Sequence, residues 1–260
     1  LIKSSLYIMF NGINSQDLNV LNVSVDSGLY EEPFLGTVNI LQETIRGRTK
    51  PYYMGKQIEQ KELNLTLFLP ENFSDDQLRE IARWLGTPDF YVPLIFSEDP
   101  DKIYFCMLNS DSSVFHAGTN NGYIKISMLC DSCYSYSPVF LSPLYDLSSN
   151  LIGGTELIII NNGDIDCHLL ITVQVISGGS FSIVNKSNGG ELISFTNIGD
   201  LETLTINTEN ESIQSDLPLT YRLDNMSSSS VFIMLKRGIN RLQIYGNLKI
   251  QFKYEARFLI

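Results

Sequence analysis

Histidine carries most acid–base and metal chemistry near neutral pH, and the 260-residue chain has two, His116 and His168. The four cysteines are Cys106, Cys130, Cys133 and Cys167. Cys130-Asp131-Ser132-Cys133 has the spacing of a zinc knuckle or a redox pair. No second C-x-x-C or C-x-H partner follows, and the pair ends a strand instead of opening a helix, so two small reduced thiols are expected. There is no G-x-S-x-G elbow for a serine nucleophile. Gly153-Gly154, Gly178-Gly179 and Gly189-Gly190 lack the frame of a phosphate-cradling loop and are expected to be turns. The paired carboxylates Glu31-Glu32 and Asp75-Asp76 are expected in a solvated loop and at a helix N-terminus. Tyr145, Tyr221 and Tyr245 are candidates for a sugar-stacking platform, although a strand aromatic is more often core. These residues point to no enzyme, no metal and no cofactor.

Charge narrows the partners. Eighteen Lys and Arg face 29 Asp and Glu, for a net charge of −11. A protein that grips nucleic acid by its phosphates needs clustered basic side chains, so this balance argues against one. A negative wall that a duplex slides past fits the sign. Against that background Arg46-Gly47-Arg48-Thr49-Lys50-Pro51-Tyr52-Tyr53-Met54-Gly55-Lys56 stands out as a basic stretch. Its glycines and proline predict a protruding loop. Two readings are open: a solvated hairpin edge guarded by Lys and Arg, or a contact arm that meets an acidic neighbour.

The elements that would hold these residues are mostly strands. Glu62 to Pro70 alternates Leu63, Leu65, Leu67 and Leu69 with other side chains, the pattern of a half-buried strand. One helix is predicted, at about 75–85. Ser74 is its N-cap, Gln77 completes a capping box, and Asp75 and Asp76 favour the first turn. Leu78, Ile81, Ala82 and Leu85 form its apolar stripe, with Gly86 and Pro88 as the stop. Tyr91 to Phe96 and Lys102 to Leu108 are predicted as a hairpin around residues 97–101. Tyr7 to Phe10 and Leu18 to Val25 are predicted as another, Ser27 to Pro33 as loop and Gly36 to Thr44 as extended. Ser113 to Ala117 and Tyr123 to Cys130 are expected to pair across an Asn121-Gly122 turn.

From Glu156 onward no helical period appears. Strands are expected at Leu157–Ile160, Leu169–Ile176, Phe181–Val184, Glu191–Phe195, Glu202–Ile206, Val231–Leu235, Arg241–Tyr245 and Leu248–Phe258. Asn162-Gly163, the Gly-Gly pairs and Gly246-Asn247 are expected to punctuate them. Such a run predicts a two-sheet sandwich or jelly roll. Pro138, Pro143 and several serines mark a boundary between two domains. The fold class is therefore mainly β, with one helix. No run of about 18 apolar residues supports a membrane span. The start, Leu1-Ile2-Lys3-Ser4-Ser5, has no signal-peptide core, so synthesis in the cytoplasm is expected.

The order of these features resembles a known family. Ile8-Met9-Phe10-Asn11-Gly12 with Asp17-Leu18, Ile45-Arg46-Gly47-Arg48, Leu78-Arg79-Glu80-Ile81-Ala82-Arg83-Trp84-Leu85 and Leu94-Ile95-Phe96 with Asp99-Pro100-Asp101-Lys102 are similar to the distal tail protein (Dit) family of long-tailed, non-contractile phages. Asn161-Asn162-Gly163, Gly178-Gly179 and the Leu235, Gly238, Asn240, Leu242 spacing extend the match to nearly the whole chain. The resemblance implies a virion structural protein with a ring-forming domain at 1–137, a linker at 138–155 and a galectin-like β-sandwich at 156–260. It implies a hexameric ring at the tail tip, joining the tube protein to the tail-associated hub or lysin protein and passing DNA through its channel. A receptor-binding protein is a further implied partner. Arg46, Gly47, Arg48, Lys50 and Lys56 would then lie in the loop that makes ring contacts, which raises the contact-arm reading above the solvated-edge one. Some relatives carry large sugar-binding insertions for which this chain has no room. A host cell-wall carbohydrate-binding module is the alternative.

Overall fold

Ser74 opens the one α-helix among the described residues, α1 (Asp75–Gly86), with its side chain accepting from the Gln77 N–H at 3.2 Å. The reciprocal half of the capping box is not made: the Gln77 amide donates instead to the Leu18 carbonyl at 2.9 Å. The C-terminus also departs from expectation. Gly86 does not take a positive φ; Thr87 closes the helix, its N–H and hydroxyl both donating to the Arg83 carbonyl. The computed structural model describes residues 4–24, 35–70, 73–109, 113–116 and 121–259. It divides into two units, one of residues up to Tyr136 with the last residues from Leu259, the other Ser137–Phe258.

The first unit is an antiparallel sheet built on α1. Its strands are β1 (Ile8–Phe10), β2 (Ile13–Asn14), β3 (Leu21–Asn22), β6 (Glu62–Leu69), β7 (Val92–Phe96), β8 (Asp99–Leu108), β9 (Ser113–His116), β10 (Gly122–Cys130) and β11 (Ser135–Tyr136), with β4 (Val38–Glu43) and β5 (Tyr52–Ile58) forming a separate ribbon. The main path is β2-β1-β7-β8-β10-β6-β3. The four β6 leucines are all buried, each contributing roughly 1.5–3 kcal/mol relative to exposure. They share a core with Ile81, Trp84 and Leu85 of α1. The helix is rotated from the predicted stripe: Ala82 is exposed and Leu78 half-buried, because the Trp84 indole turns inward and donates to the Phe10 carbonyl at 2.9 Å.

Several predicted hairpins change partners. Asn11-Gly12 does make a turn, both residues at positive φ, but β2 closes it; residues 15–19 are turns, and among the described residues of the expected second strand Leu21–Asn22 pair with β6, with the Val23 N–H donating to the Thr66 carbonyl beyond them. Asp99-Pro100-Asp101 lies inside β8, so the turn before it is shorter than expected. Gly122 is paired with His116 and is no turn residue; the connection at 117–120 lies outside the described residues, as do Glu31-Glu32 and the expected loop at 27–33.

The second unit contains β12 (Phe140–Leu141), β13 (Tyr145–Leu147), β14 (Thr155–Asn161), β15 (Leu170–Asn185), β16 (Glu191–Phe195), β17 (Thr203–Asn207), β18 (Ser212–Ser215) and β19 (Gly238–Tyr254). The stretch expected as a linker carries β12 and β13, both paired with β19. Four predicted strands merge into two long ones, β15 and β19, which pair along most of their length. Gly178-Gly179 and Gly246-Asn247 are bends inside strands, not turns between them. Residues 178–181 stand opposite Gly246 alone, between the pairs Ser177↔Asn247 and Ser182↔Tyr245. Gly246 has φ 99°, and a Cβ there would lie 2.6 Å from the Ser180 carbonyl oxygen. A bulge of this kind bends both strands and lets one sheet fold over itself. Leu157, Ile183, Ile193 and Leu242 from one side of the bend thus meet Val173, Leu204, Ile250 and Phe252 from the other in a single core. Val231–Leu235 is not a strand; only Leu235 bridges, to Cys167.

Candidate assembly surface

The basic stretch picked out by sequence sits on the β4–β5 ribbon. β4 and β5 pair from Val38↔Ile58 to Glu43↔Tyr52, with a register slip beside Gly55 that leaves Met54 opposite no residue. The tip turns through Ile45-Arg46-Gly47-Arg48: the Arg48 N–H donates to the Ile45 carbonyl at 3.1 Å and Gly47 has φ 92°. Glycine at the third position with positive φ is what a type II turn requires. The turn brings Arg46, Gly47 and Arg48 together with Lys50 just beyond, while Lys56 lies further along β5 opposite Ile40. All five are exposed. The Arg48 guanidinium rests 4.3 Å from the centre of the Tyr52 ring, an exposed cation–π contact worth about 0.5–1 kcal/mol.

The apolar content of the ribbon is what sequence reading missed. Ile40 is 63 % exposed, Tyr53 69 % and Met54 69 %, and Val38, Leu41, Ile45 and Tyr52 are exposed as well. Tyr-Tyr-Met without a polar alternation partner was the available signal. A two-stranded ribbon alone in water is marginal. This one is fixed at its root and bare along its length.

The root explains the cysteines. The Glu59 N–H donates to the Thr37 carbonyl at 2.9 Å, the Lys61 N–H to the Ser132 carbonyl at 3.1 Å, and the Cys130 N–H to the Lys61 carbonyl at 2.8 Å. The Gln60 amide donates to the Tyr91 hydroxyl at 3.0 Å and the Asp131 carbonyl at 3.3 Å. A Cβ on Gly36 would lie 2.6 Å from the Cβ of Cys133, so only glycine lets the chain entering β4 come this close. Cys130 faces another way, its sulfur 3.2 Å from that of Cys106 across β8 and β10. The two ends of the C-x-x-C stretch therefore pack on different neighbours, and all four cysteines are free and buried. The contact with Cys130 and burial push the Cys106 thiol up, and burial pushes Cys167 up to about 12. Lys61 is buried beside this root, and burial lowers its pKa while the Cys130 and Cys133 thiols oppose that shift. Its ammonium lies 5.7 Å from the centre of the Tyr104 ring.

The remaining sequence candidates are dispersed. His168 Nδ1 is 3.0 Å from the Thr208 carbonyl oxygen. Tyr145 packs against Phe252, Tyr245 lies beside Gly154, and Tyr221 is 86 % exposed. Among the described residues no cluster of three or more His, Cys, Asp or Glu is placed to hold a metal ion.

Residues 3–132 match the family model described as phage tail protein N-terminal domain. The chain is 29 % identical over 259 residues to the SPbeta prophage-derived uncharacterized protein YomH of Bacillus subtilis (strain 168), covering 100 % of both chains. Its fold is similar to that of the SPP1 Dit protein (gp 19.1), described as a hub adsorption apparatus of phages infecting Gram-positive hosts: the TM-score is 0.71 at 14 % identity, over 97 % of this chain and 99 % of that one. A chain of the phage P2 baseplate in its activated conformation with Ca aligns with a TM-score of 0.51 at 12 % identity, over 96 % and 97 %.

Proposed function

We propose that this chain, which belongs to the phage tail protein N-terminal domain family and has the fold of SPP1 Dit, is the distal tail ring of a long-tailed phage. Six copies close around a channel, join the tail tube to the tail-tip hub or lysin protein, carry a receptor-binding protein, and let DNA pass during ejection. The protein is made in the host cytoplasm and works at the virion's tail tip as a mechanical connector, with no reaction of its own. In this reading the first unit is the ring-forming domain and the second the outer β-sandwich.

The observation that carries the reading is the β4–β5 ribbon, a basic prong that exposes large apolar side chains and, among the described residues, is held at its base. Monomeric proteins rarely leave such a surface bare. The net charge of −11 gives basic tips an acidic neighbour to meet and leaves a passing duplex unbound. Light scattering with negative-stain microscopy tests it. A six-fold ring is expected, and a strictly monomeric species at the highest attainable concentration overturns it.

A further inference from the structure

The register of the first unit's sheet sets two thiols directly opposite each other. Cys106 of β8 pairs with Cys130 of β10, and both side chains point into the core, 0 % exposed. The Asp131 N–H donates to the Phe105 carbonyl at 2.8 Å, while the Cys130 N–H turns away to the Lys61 carbonyl, also at 2.8 Å. Cys106 and Cys130 are therefore a non-hydrogen-bonded pair, the kind in which opposed Cα atoms stand about 4.5 Å apart and side chains come closest. That separation lies at the short end of what a disulfide spans. The sulfurs are 3.2 Å apart, so closing a bond of about 2.05 Å asks each to move by roughly 0.6 Å.

We infer that Cys106 and Cys130 are a latent cross-strand disulfide, which closes once the protein has left a reducing cytoplasm for an oxidising medium. The change of compartment rests on the virion reading; the geometry does not. The C-x-x-C spacing points to the wrong partner, since Cys133 sits against Gly36 while Cys130 faces Cys106. Hydrogen peroxide is a small enough oxidant to reach a buried pair. One thiol takes an oxygen atom from the peroxide and becomes a sulfenic acid, releasing a water; the opposed thiol then attacks that sulfur, the S–S bond forms, and a second water leaves. Two thiols and one peroxide become one disulfide and two waters. The Cys130 contact and burial push the Cys106 thiol up, so the reaction takes hours, not seconds. The bond joins residues 24 apart in sequence and ties β8 to β10 just before Asp131–Cys133, the segment that holds the base of the β4–β5 ribbon.

Peroxide treatment of the purified chain, followed by alkylation in denaturant and peptide mapping by mass spectrometry, tests this. A Cys106–Cys130 peptide pair lighter by two hydrogens is expected, reversed by dithiothreitol, with the melting temperature raised by about 3–8 °C while the bond is closed. Because the thiols are buried, the chain is also refolded from denaturant in a glutathione redox buffer, where every sulfur is accessible and the native register selects the pair. Cys133→Ser should leave the bond unchanged under both conditions. Four free thiols after both treatments, or a bond mapped to Cys130 and Cys133, overturn the assignment. Rings whose thiols stay free through both sink the cross-link and leave the ring reading standing; a bonded chain that never forms a ring does the reverse.

Discussion

Two long antiparallel ladders dominate this protein and behave oppositely. On either side of the bend β15 and β19 alternate apolar with other residues, so one face is dry: Leu242, Ile244, Leu248, Ile250 and Phe252 are all 0 % exposed. β4 and β5 carry large apolar side chains in a similar proportion but scatter them, and Val38, Ile40, Leu41, Tyr52, Tyr53 and Met54 remain in solvent. Both ladders contain a glycine irregularity. In β15–β19 it folds the sheet over its own core; in β4–β5 it only slips the register at Gly55. Strict alternation lets a ladder bury itself, and its absence leaves an apolar surface bare.

The sharpest way to break this contrast is at the bend. Gly246→Val forces a β-branched residue to φ 99° with its Cβ against the Ser180 carbonyl, and should cost about 3 kcal/mol or more in denaturant unfolding. A loss below about 1 kcal/mol would show that the bend does not organise the core.

The next largest effect is expected at Glu202 and Arg222 in the second unit. The Arg222 guanidinium grips the Glu202 carboxylate with bonds of 2.8 and 2.7 Å, and Glu202 is 1 % exposed. Burial alone would raise the Glu202 carboxyl, but Arg222, the Ser215 hydroxyl and the Gly199 N–H outweigh it and hold the group below its ordinary value. Arg222→Ala should cost about 2–3 kcal/mol, the low side for breaking a buried pair because Ser215 and Gly199 still donate. The pH sign follows from the lowered value. The stabilisation is present above the unfolded pKa, near 4.5, and is lost as pH falls below it towards the folded value. Acid titration of thermal stability should show that loss in the wild type and a smaller one in Arg222→Ala; parallel curves would remove Glu202 from the account.

What could be read from sequence was what local physics decides. Ser74 caps α1 because its side chain reaches an N–H three residues away, and the β6 leucines point inward because strand side chains alternate. The bends were not legible, since Gly246-Asn247 has the composition of a turn and only pairing with a strand some 70 residues earlier makes it a bulge. The same holds for Ala82. Helical spacing places it inside, and one hydrogen bond from Trp84 to a distant carbonyl rotates it out. The basic half of the candidate assembly surface was visible as charge in an acidic chain. Its apolar half was not, because an apolar strand residue reads as core until the structure shows nothing packed on it.

The mildest effects on the fold should come from the ribbon. Gly47→Val puts a β-branched residue at φ 92°, and since nothing lies within 4 Å of its Cβ the cost is the backbone strain alone, about 1–2 kcal/mol. Arg46→Glu with Arg48→Glu should change the monomer's stability by less than about 0.5 kcal/mol, since both side chains are exposed and the Arg48–Tyr52 contact is weak. Assembly should respond quite differently. Reversal swings the charge of each tip by four units, from attraction to repulsion at each contact of the proposed ring, so sedimentation should show a large loss of oligomer that added salt partly restores. If the double variant assembles like the wild type, the basic tip is a solvated edge after all, and only the apolar face of the ribbon distinguishes it from the buried ladder of the second unit.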